Sequence, residues 1–390
     1  MTRAVLQRGK ERRLKDGHPW VYAGEIERVE GEFNPGDVVD VANSAGFFLG
    51  RGYINPSSQI RIRILTWEDE AIDAGFFYRR IERALDFRRR VMPEATSFRV
   101  VFGEGDFLPA LIVDKYEDHV VLQTLALGMD QRKDWIISAI EELLHPKVIY
   151  ARNDVPVRAL EGLPVEKQAL RGMPPGEFLI RENGLIFHVD VVEGQKTGYF
   201  LDQKENRRAI APFVDGARVL DAFCNTGTFS IHAAYYGARE VTGLDISEPA
   251  IRTAWRNAAE NGLGGKCRFE VGNAFDLLRK YSEEKVTFDT VILDPPAFAK
   301  NRQALAGAVR GYKEINLRAM KLLPPGGFLI TCSCSHHMTE DLFVETVLDA
   351  ARDAGRQLRR VELRTQAADH PILLGVKETY YLKCLILQVF

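Results

Sequence analysis

Two apolar runs end in an acid followed by a tight turn. They are Val219-Leu220-Asp221-Ala222-Phe223-Cys224-Asn225-Thr226-Gly227 and, about seventy positions later, Val291-Ile292-Leu293-Asp294-Pro295-Pro296. A third run, Phe328-Leu329-Ile330-Thr331-Cys332-Ser333-Cys334-Ser335, carries two thiols near its end. Acids and thiols at the ends of buried strands stand where a sheet meets solvent, the place for a charged ligand or a nucleophile. The region around these runs alternates strand and helix, which describes a doubly wound sheet whose ligand lies beyond the strand carboxyl ends.

The first turn has neither G-x-G-x-x-G nor G-x-x-x-x-G-K-S/T, so no phosphate cradle is encoded there. Asp221 instead places an acid where a pyrophosphate binder would want bare amides. That suits a cofactor whose near end is cationic, as the ammonium and sulfonium of S-adenosylmethionine are. The next strand ends Leu244-Asp245-Ile246-Ser247, an acidic tip suited to ribose hydroxyls. The third ends Gly272-Asn273-Ala274, where Asn273 can meet an adenine edge. Any one of these residues would pass as a strand-terminal cap; three polar tips on consecutive strands favour a cofactor site. Phe223, Cys224 and Asn225 would line it, and Gly227 would let a helix backbone approach the ligand closely.

Around this core the chain divides into three expected parts. Residues 1–72 hold short alternating runs split by Pro35-Gly36 and Asn55-Pro56-Ser57, the pattern of a compact β-barrel. Residues 73–175 read as a mixed α/β domain: a helix to Val91, strands near 99–102, 110–115 and 119–124, a helix over 131–144 and a strand near 147–151. Residues 176–390 open with a hairpin around Asn183-Gly184. Strands at 218–223, 240–245, 267–272, 288–293 and 327–333 follow, with helices at 228–236, 249–260, 308–322 and 340–354 and two last strands.

Bulk properties exclude several classes. No apolar run approaches the roughly 18 residues that cross a bilayer. The N-terminal ten residues lack a secretory core, and a cytoplasmic location is the expectation. Five cysteines at irregular spacing form no disulfide framework. Cys332, Cys334, His336 and His337 lack a second ligand pair, so no metal is expected. Net charge is −2, yet residues 1–20 concentrate Arg3, Arg8, Lys10, Arg12, Arg13 and Lys15 beside His18, Trp20 and Tyr22. A second cluster, Arg79, Arg80, Arg83, Arg88, Arg89 and Arg90, is either a phosphate-facing stripe or a solvated helix face.

The 221–227 turn, the Asp245 tip and Asp294-Pro295-Pro296-Ala297-Phe298 resemble the class I S-adenosylmethionine methyltransferases, with their Rossmann-like, seven-stranded sheet. Asn273 departs from them, since an Asp is common there. Gly194-Gln195-Lys196-Thr197-Gly198-Tyr199-Phe200-Leu201-Asp202-Gln203 with Asn206-Arg207, and Thr331-Cys332-Ser333-Cys334-Ser335, resemble more narrowly the bacterial 23S rRNA cytosine-C5 methyltransferases with an N-terminal PUA domain. Gly9-Lys10-Glu11-Arg12-Arg13 and Gly17-His18-Pro19-Trp20-Val21 match that family's PUA entry.

The resemblance implies a flipped cytosine in 23S rRNA or a large-subunit assembly intermediate. Carbon 5 of cytosine is too weak a nucleophile to take a methyl group directly, so a thiolate must first add to carbon 6. Cys334, the tip residue, is the expected nucleophile and Cys332 the deeper alternative; the family motif also aligns Ser333-Cys334-Ser335 with the nucleophile turn. Asp294 is expected to hold the cytosine N3/N4 edge and also to border the cofactor, with Pro295 and Pro296 stiffening the loop and Phe298 stacking or packing. Gln195, Lys196, Tyr199, Phe200, Asp202 and Asn206 would cross the cofactor pocket, or clamp the sheet. Lys10, Arg12, Arg13 and Trp20 would grip RNA, and the barrel's uncovered apolar tips suit RNA or a second copy of the chain. Competing readings are a guanine or adenine N-methyltransferase, which requires no thiol, a non-catalytic cofactor-binding assembly factor, and, more remotely, a dehydrogenase.

Overall fold

The computed structural model describes residues 2–299 and 301–390; Met1 of the expected N-terminal domain and Lys300 lie outside the described residues. The chain groups into two compact units. The first comprises Met1–Ile180, Val189–Leu201 and Ala368–Thr379, the second Arg181–His188, Asp202–Ala367 and Tyr380–Phe390. Among the described residues no helix is long and apolar enough to cross a membrane.

The first unit contains two sheets. Six strands between Arg3 and Thr66 pair in the order Trp20–Tyr22, Ile60–Thr66, Phe48–Ile54, Val38–Ala42, Arg3–Leu6, Ile26–Glu30. Val21 and Ile62 from one edge share a core with Ala4, Leu6, Val39 and Val41, with Ile26 and Val29 of the opposite edge packed against it, which a flat sheet could not achieve. The sheet is therefore rolled, as a small barrel requires. Five further strands pair in the order Glu166–Arg171, Val148–Asn153, His119–Thr124, Leu111–Tyr116, Ser97–Phe102. The 166–171 strand has no sequence signature because it is a polar, largely exposed edge. Tyr53 of the barrel lies in the core of the second sheet, and its hydroxyl donates to the Pro109 carbonyl at 2.9 Å.

Residues 189–201 and 368–379, grouped by the sequence with the C-terminal domain, are tied into the first unit by buried arginines. Arg152 donates to the carbonyls of Val191 and Gly194, each at 2.9 Å. Arg88 donates to the Asp369 carbonyl at 2.7 Å, while the Asp369 carboxylate accepts from the Arg99 amide.

The second unit carries the large sheet. Its strands are β1 (Arg218–Ala222), β2 (Glu240–Asp245), β3 (Cys267–Val271), β4 (Thr290–Leu293), β5 (Phe328–Ser333), β6 (Leu358–Arg364) and β7 (Lys383–Val389). They pair in the order β3-β2-β1-β4-β5-β7-β6, with only β7 antiparallel to its neighbours. Strands β1 and β4 are almost wholly buried, as a sheet covered on both faces requires. The helices are α1 (Lys204–Ala209), α2 (Thr228–Tyr235), α3 (Glu248–Glu260), α4 (Ala274–Glu283), α5 (Leu305–Lys321) and α6 (Glu340–Ala354). The sequence pattern does not show α4, which is only ten residues long and is capped by Asn273, a residue read there as a ligand contact.

The expected hairpin forms from Glu177–Glu182 and Leu185–Asp190, with Asn183 and Gly184 both at positive φ, the geometry of a two-residue I′ turn. Glu182 at its end meets Arg207 of α1 in a buried bidentate pair at 2.6 and 2.9 Å. Replacing one partner leaves the other charge buried and uncompensated, which costs roughly 3–5 kcal/mol. Glu182→Gln should therefore lower the unfolding free energy by about that amount, measured by chemical denaturation; a change below about 1 kcal/mol would contradict this assignment.

Candidate active site

The polar strand ends collect at one edge of the large sheet. After β1 the backbone turns sharply through three residues at positive φ, Phe223, Asn225 and Gly227, before α2 begins. Glycine at 227 answers to packing: a Cβ there would lie 2.9 Å from that of Ala254 and 3.0 Å from the Phe269 ring. Helix-to-sheet contact therefore accounts for this residue without a ligand.

Asp221 is fully buried. Its Oδ2 accepts from the Ser230 hydroxyl at 2.6 Å, whereas its Oδ1 has no hydrogen-bond partner. Burial pushes the carboxyl up to about 7, with the nearby Asp294 and Asp245 adding to the rise against the Ser230 hydrogen bond. A buried, half-satisfied carboxylate is costly until a cation or donor reaches it, so this acid fits a cofactor with an ammonium end.

Asp245 at the end of β2 accepts from the backbone amides of Asn225 at 2.9 Å and Ser247 at 2.8 Å. It thereby joins the turn after β1 to the start of α3, which Ser247 caps through the Ala250 amide. Ile246 between them is 71% exposed, an apolar side chain held out at the rim. Asn273 spends its side-chain oxygen capping α4, accepting from the Phe275 amide at 2.9 Å. Ala274 is buried, as is the Cys224 side chain, so both face any ligand with backbone alone.

Strand β4 pairs in parallel with β5, Leu293 opposite Thr331, and so brings Asp294 and the thiol strand together. Cys332 is fully buried and lies opposite Cys384 of β7. A hydrogen bond with the free Cys384 thiol and its own burial push the Cys332 thiol well above the ordinary range. Cys334, one residue past the strand, is partly exposed, and its Sγ donates to the Pro295 carbonyl at 3.8 Å. The two thiols that sequence alone left as alternatives thus occupy different environments, one in the core and one at the rim.

Around this pair lie groups that sequence reasoning did not assign. Gln203 donates to Asp294 Oδ1 at 2.9 Å; its own oxygen accepts from Asn206, which is in turn bonded to Arg364. Gln203 stood within the 194–203 motif but drew no role. Asn206 and Asp202, expected at the cofactor, are buried; Asp202 accepts from the Tyr381 hydroxyl at 2.7 Å. Tyr312 accepts from Ser333 at 3.0 Å and shares a hydrogen bond with Ser335 at 3.3 Å. Phe298 packs 4.7 Å from the Tyr312 ring, within an aromatic group that includes Phe223 and Phe275. Pro295 is buried and Pro296 exposed.

Gln195, Lys196, Tyr199 and Phe200 belong to the first unit, where Tyr199 is buried and the Lys196 ammonium lies over the Phe200 ring at 4.4 Å. On the barrel, Arg13 is committed to Glu25 and stacks on Tyr22, and the Trp20 indole donates to Glu104 at 2.8 Å. Lys10 and Arg12 remain exposed. Of the 79–90 arginines only Arg88 is internal, buried on Asp106; Arg79, Arg83, Arg89 and Arg90 are exposed, with Arg79 and Arg80 reaching Glu70 and Arg89 paired with Asp86. Among the described residues no cluster of His, Cys, Asp and Glu is arranged to hold a metal ion.

A PUA-like domain model matches residues 4–67, and a model described as S-adenosylmethionine-dependent methyltransferase matches residues 164–386. The ribosomal RNA large subunit methyltransferase I of Pseudoalteromonas translucida is 44% identical, covering 100% of both chains. The protein of that name from Shewanella denitrificans is 45% identical, over 100% of this chain and 99% of its own. The chain belongs to this family of S-adenosylmethionine-dependent methyltransferases. In fold it is similar to SMU.776, a methyltransferase solved with S-adenosylhomocysteine, at a TM-score of 0.86 and 22% identity over 100% of each chain.

Members of this family need an accessible, reactive group at the rim if they work through a covalent adduct, and the cysteines of this chain differ sharply in that respect. Brief native-state treatment with iodoacetamide should label the peptide carrying Cys334, while Cys224, Cys267, Cys332 and Cys384 become reactive only after unfolding. Mass spectrometry of the digest reads this directly, and labelling of Cys332 at the rate of Cys334 would contradict the described burial.

Proposed function

We propose that the protein methylates carbon 5 of a cytosine in large-subunit ribosomal RNA through a covalent adduct to Cys334. The observation that carries this reading is the partly exposed Cys334 at the end of β5, its Sγ on the carbonyl of Pro295 in the Asp294-Pro295-Pro296 loop. The substrate class follows from the relatives named above and from the PUA-like domain, on which Lys10 and Arg12 are exposed, Arg12 in a solvent-exposed pair with Asp16 at 3.8 Å.

Bound S-adenosylmethionine would supply the electrophilic methyl group. The Cys334 thiolate adds to carbon 6 of the base; the C5–C6 π electrons move to carbon 5, which becomes the nucleophile for that methyl. Solvent water takes the proton from carbon 5, the C5–H electrons restore the C5–C6 double bond, and the C6–S electron pair returns to sulfur, regenerating the thiolate. Asp294, oriented by Gln203, accepts hydrogen bonds from the N3/N4 edge and so favours the protonated ring, whose carbon 6 is electrophilic. Pro295 and Pro296 fix the loop that carries this acid. At the other end of the rim Asp221 would receive the cofactor's ammonium and Asp245 its ribose hydroxyls, with Ile246 against the adenine.

Cys334→Ala should abolish transfer of tritium from methyl-labelled S-adenosylmethionine to ribosomal RNA, with 5-methylcytidine absent from the nucleoside digest, while S-adenosylhomocysteine binding persists. Transfer retained by this variant would move the assignment to a base nitrogen. A wild-type protein that binds cofactor and transfers no label would be an assembly factor.

The Asp221 assignment has its own pH signature. A carboxyl at about 7 must lose its proton to receive an ammonium, so S-adenosylhomocysteine affinity should fall as pH drops below 7, approaching tenfold per unit. Titration calorimetry between pH 8 and 5.5 would show this slope in the wild type and a flat profile in Asp221→Asn; parallel profiles would remove Asp221 from the cofactor site.

A further inference from the structure

One buried charge in the second unit has no place in the reaction so far. Lys383 opens β7, a strand otherwise apolar through Leu387, and is only 2% exposed. Its Nζ donates to two carbonyls, Ser335 at 2.8 Å and Tyr381 at 2.9 Å, and no carboxylate among the described residues comes within ion-pair distance. A buried ammonium without an anion is expensive and is normally paired or neutralised. Its backbone stands opposite Ser333 in the β5–β7 register, and its ammonium reaches the carbonyl of Ser335. Between those two residues lies Cys334.

We propose that Lys383 is a positioning residue for the nucleophile, a buried cation that brackets Cys334 from the neighbouring strand and favours ionisation of its thiol. The inference rests on Cys334 being the nucleophile, and it goes beyond that assignment by naming what ionises the thiol. A free thiol has a pKa near 8.5 and is only a few per cent thiolate at neutral pH, so an adjacent cation changes the reactive fraction directly. The two hydrogen bonds to Ser335 and Tyr381 fix the ammonium, so its field acts from a set point.

The ionisable surroundings are consistent with this arrangement. Burial draws the Lys383 ammonium down to about 8, opposed by the negative forms of Cys334 and of Glu340 at the start of α6. Lys383 therefore keeps its proton at neutral pH and loses it as pH rises through about 8. Tyr312 of α5, pushed up to about 12 mainly by burial, stays a neutral hydroxyl beneath the same loop. Asp294 beyond β4 and His336, whose ring lies 5.4 Å from Tyr381, are further titratable groups on the elements that meet here. Of these, Lys383 is the fixed cation.

The test is the pH dependence of Cys334 alkylation by iodoacetamide in the full-length protein, with Cys334→Ala as the blank. In the wild type the apparent thiol pKa should lie below about 8.5. Lys383→Met should raise it by about one unit and slow alkylation at pH 7 up to tenfold, and Lys383→Arg should restore the wild-type profile. Superimposed wild-type and Lys383→Met profiles would overturn the proposal, as would a wild-type thiol titrating at or above 8.5. Where Lys383→Met fails to bind S-adenosylhomocysteine and so has not folded, the wild-type profile decides alone. The two assignments fail separately: methyl transfer retained by Cys334→Ala defeats the nucleophile, whereas superimposed profiles beside an inactive Cys334→Ala defeat only the role of Lys383.

Discussion

Strand β5 has a parallel neighbour on one side and an antiparallel neighbour on the other, and the chemistry of the rim depends on that arrangement. Parallel pairing puts the end of β4 beside the end of β5, delivering the Asp294-Pro295-Pro296 loop to the thiol strand. Antiparallel pairing puts the beginning of β7 at the same edge, delivering Lys383. An all-parallel sheet would present only strand ends there. The reversed seventh strand lets a residue from the far C-terminus enter the same few ångströms.

Burial then sorts the groups that this topology collects. Thr331, Cys332 and Ser333 are all fully buried, so β5 is covered on both faces until it ends. Two residues along a strand cover about 6.6 Å, which here is the step from the core to the rim. A thiol on the inner side of that step behaves as a small hydrophobe, and one on the outer side can meet a substrate. The same sorting leaves Asn206 and Asp202 buried behind the rim, where Asn206 orients Gln203 and Gln203 orients Asp294. A carboxylate held from behind enters a reaction in one geometry rather than several.

The sheet was legible because its strands are continuous apolar runs with polar ends, and because Asn183-Gly184 specifies its turn. The positions of its first five strands and the hairpin follow directly from those signals, whereas the order of the strands comes from their long-range pairing. What escaped were elements whose residues do two jobs. Asn273 looks like a ligand contact by type and position, yet its oxygen caps α4, a helix too short to announce itself by periodicity. Gly227 looks like a close approach to a ligand, yet Ala254 and Phe269 already exclude a Cβ. Arg88 sits in a run of arginines that reads as a phosphate-facing stripe, yet its guanidinium is buried on Asp106. Long-range pairing of this kind leaves no local trace. Lys383 is the intermediate case: a lone cation inside an apolar strand is visible in sequence, but its meaning requires the register that places it across from Ser333.

The electrostatics of the rim set opposing requirements. Asp221, Asp245 and Asp294 make this edge acidic, and Asp221 is raised partly by the other two. Such a field suits a cofactor that arrives with positive charge. It works against forming a thiolate: two unit charges about 5 Å apart repel by roughly 3 kcal/mol at an effective dielectric near 20, equivalent to more than two pKa units. A site that binds a cationic cofactor and also ionises a cysteine therefore needs a cation that is not the cofactor, present before substrate arrives and placed on the side of the thiol away from the carboxylates. Strand β7 lies across β5 from β4, and so from Asp294. The buried ammonium it carries satisfies both conditions, and its hydrogen bonds to two backbone carbonyls keep it there without an acidic partner that would cancel its charge.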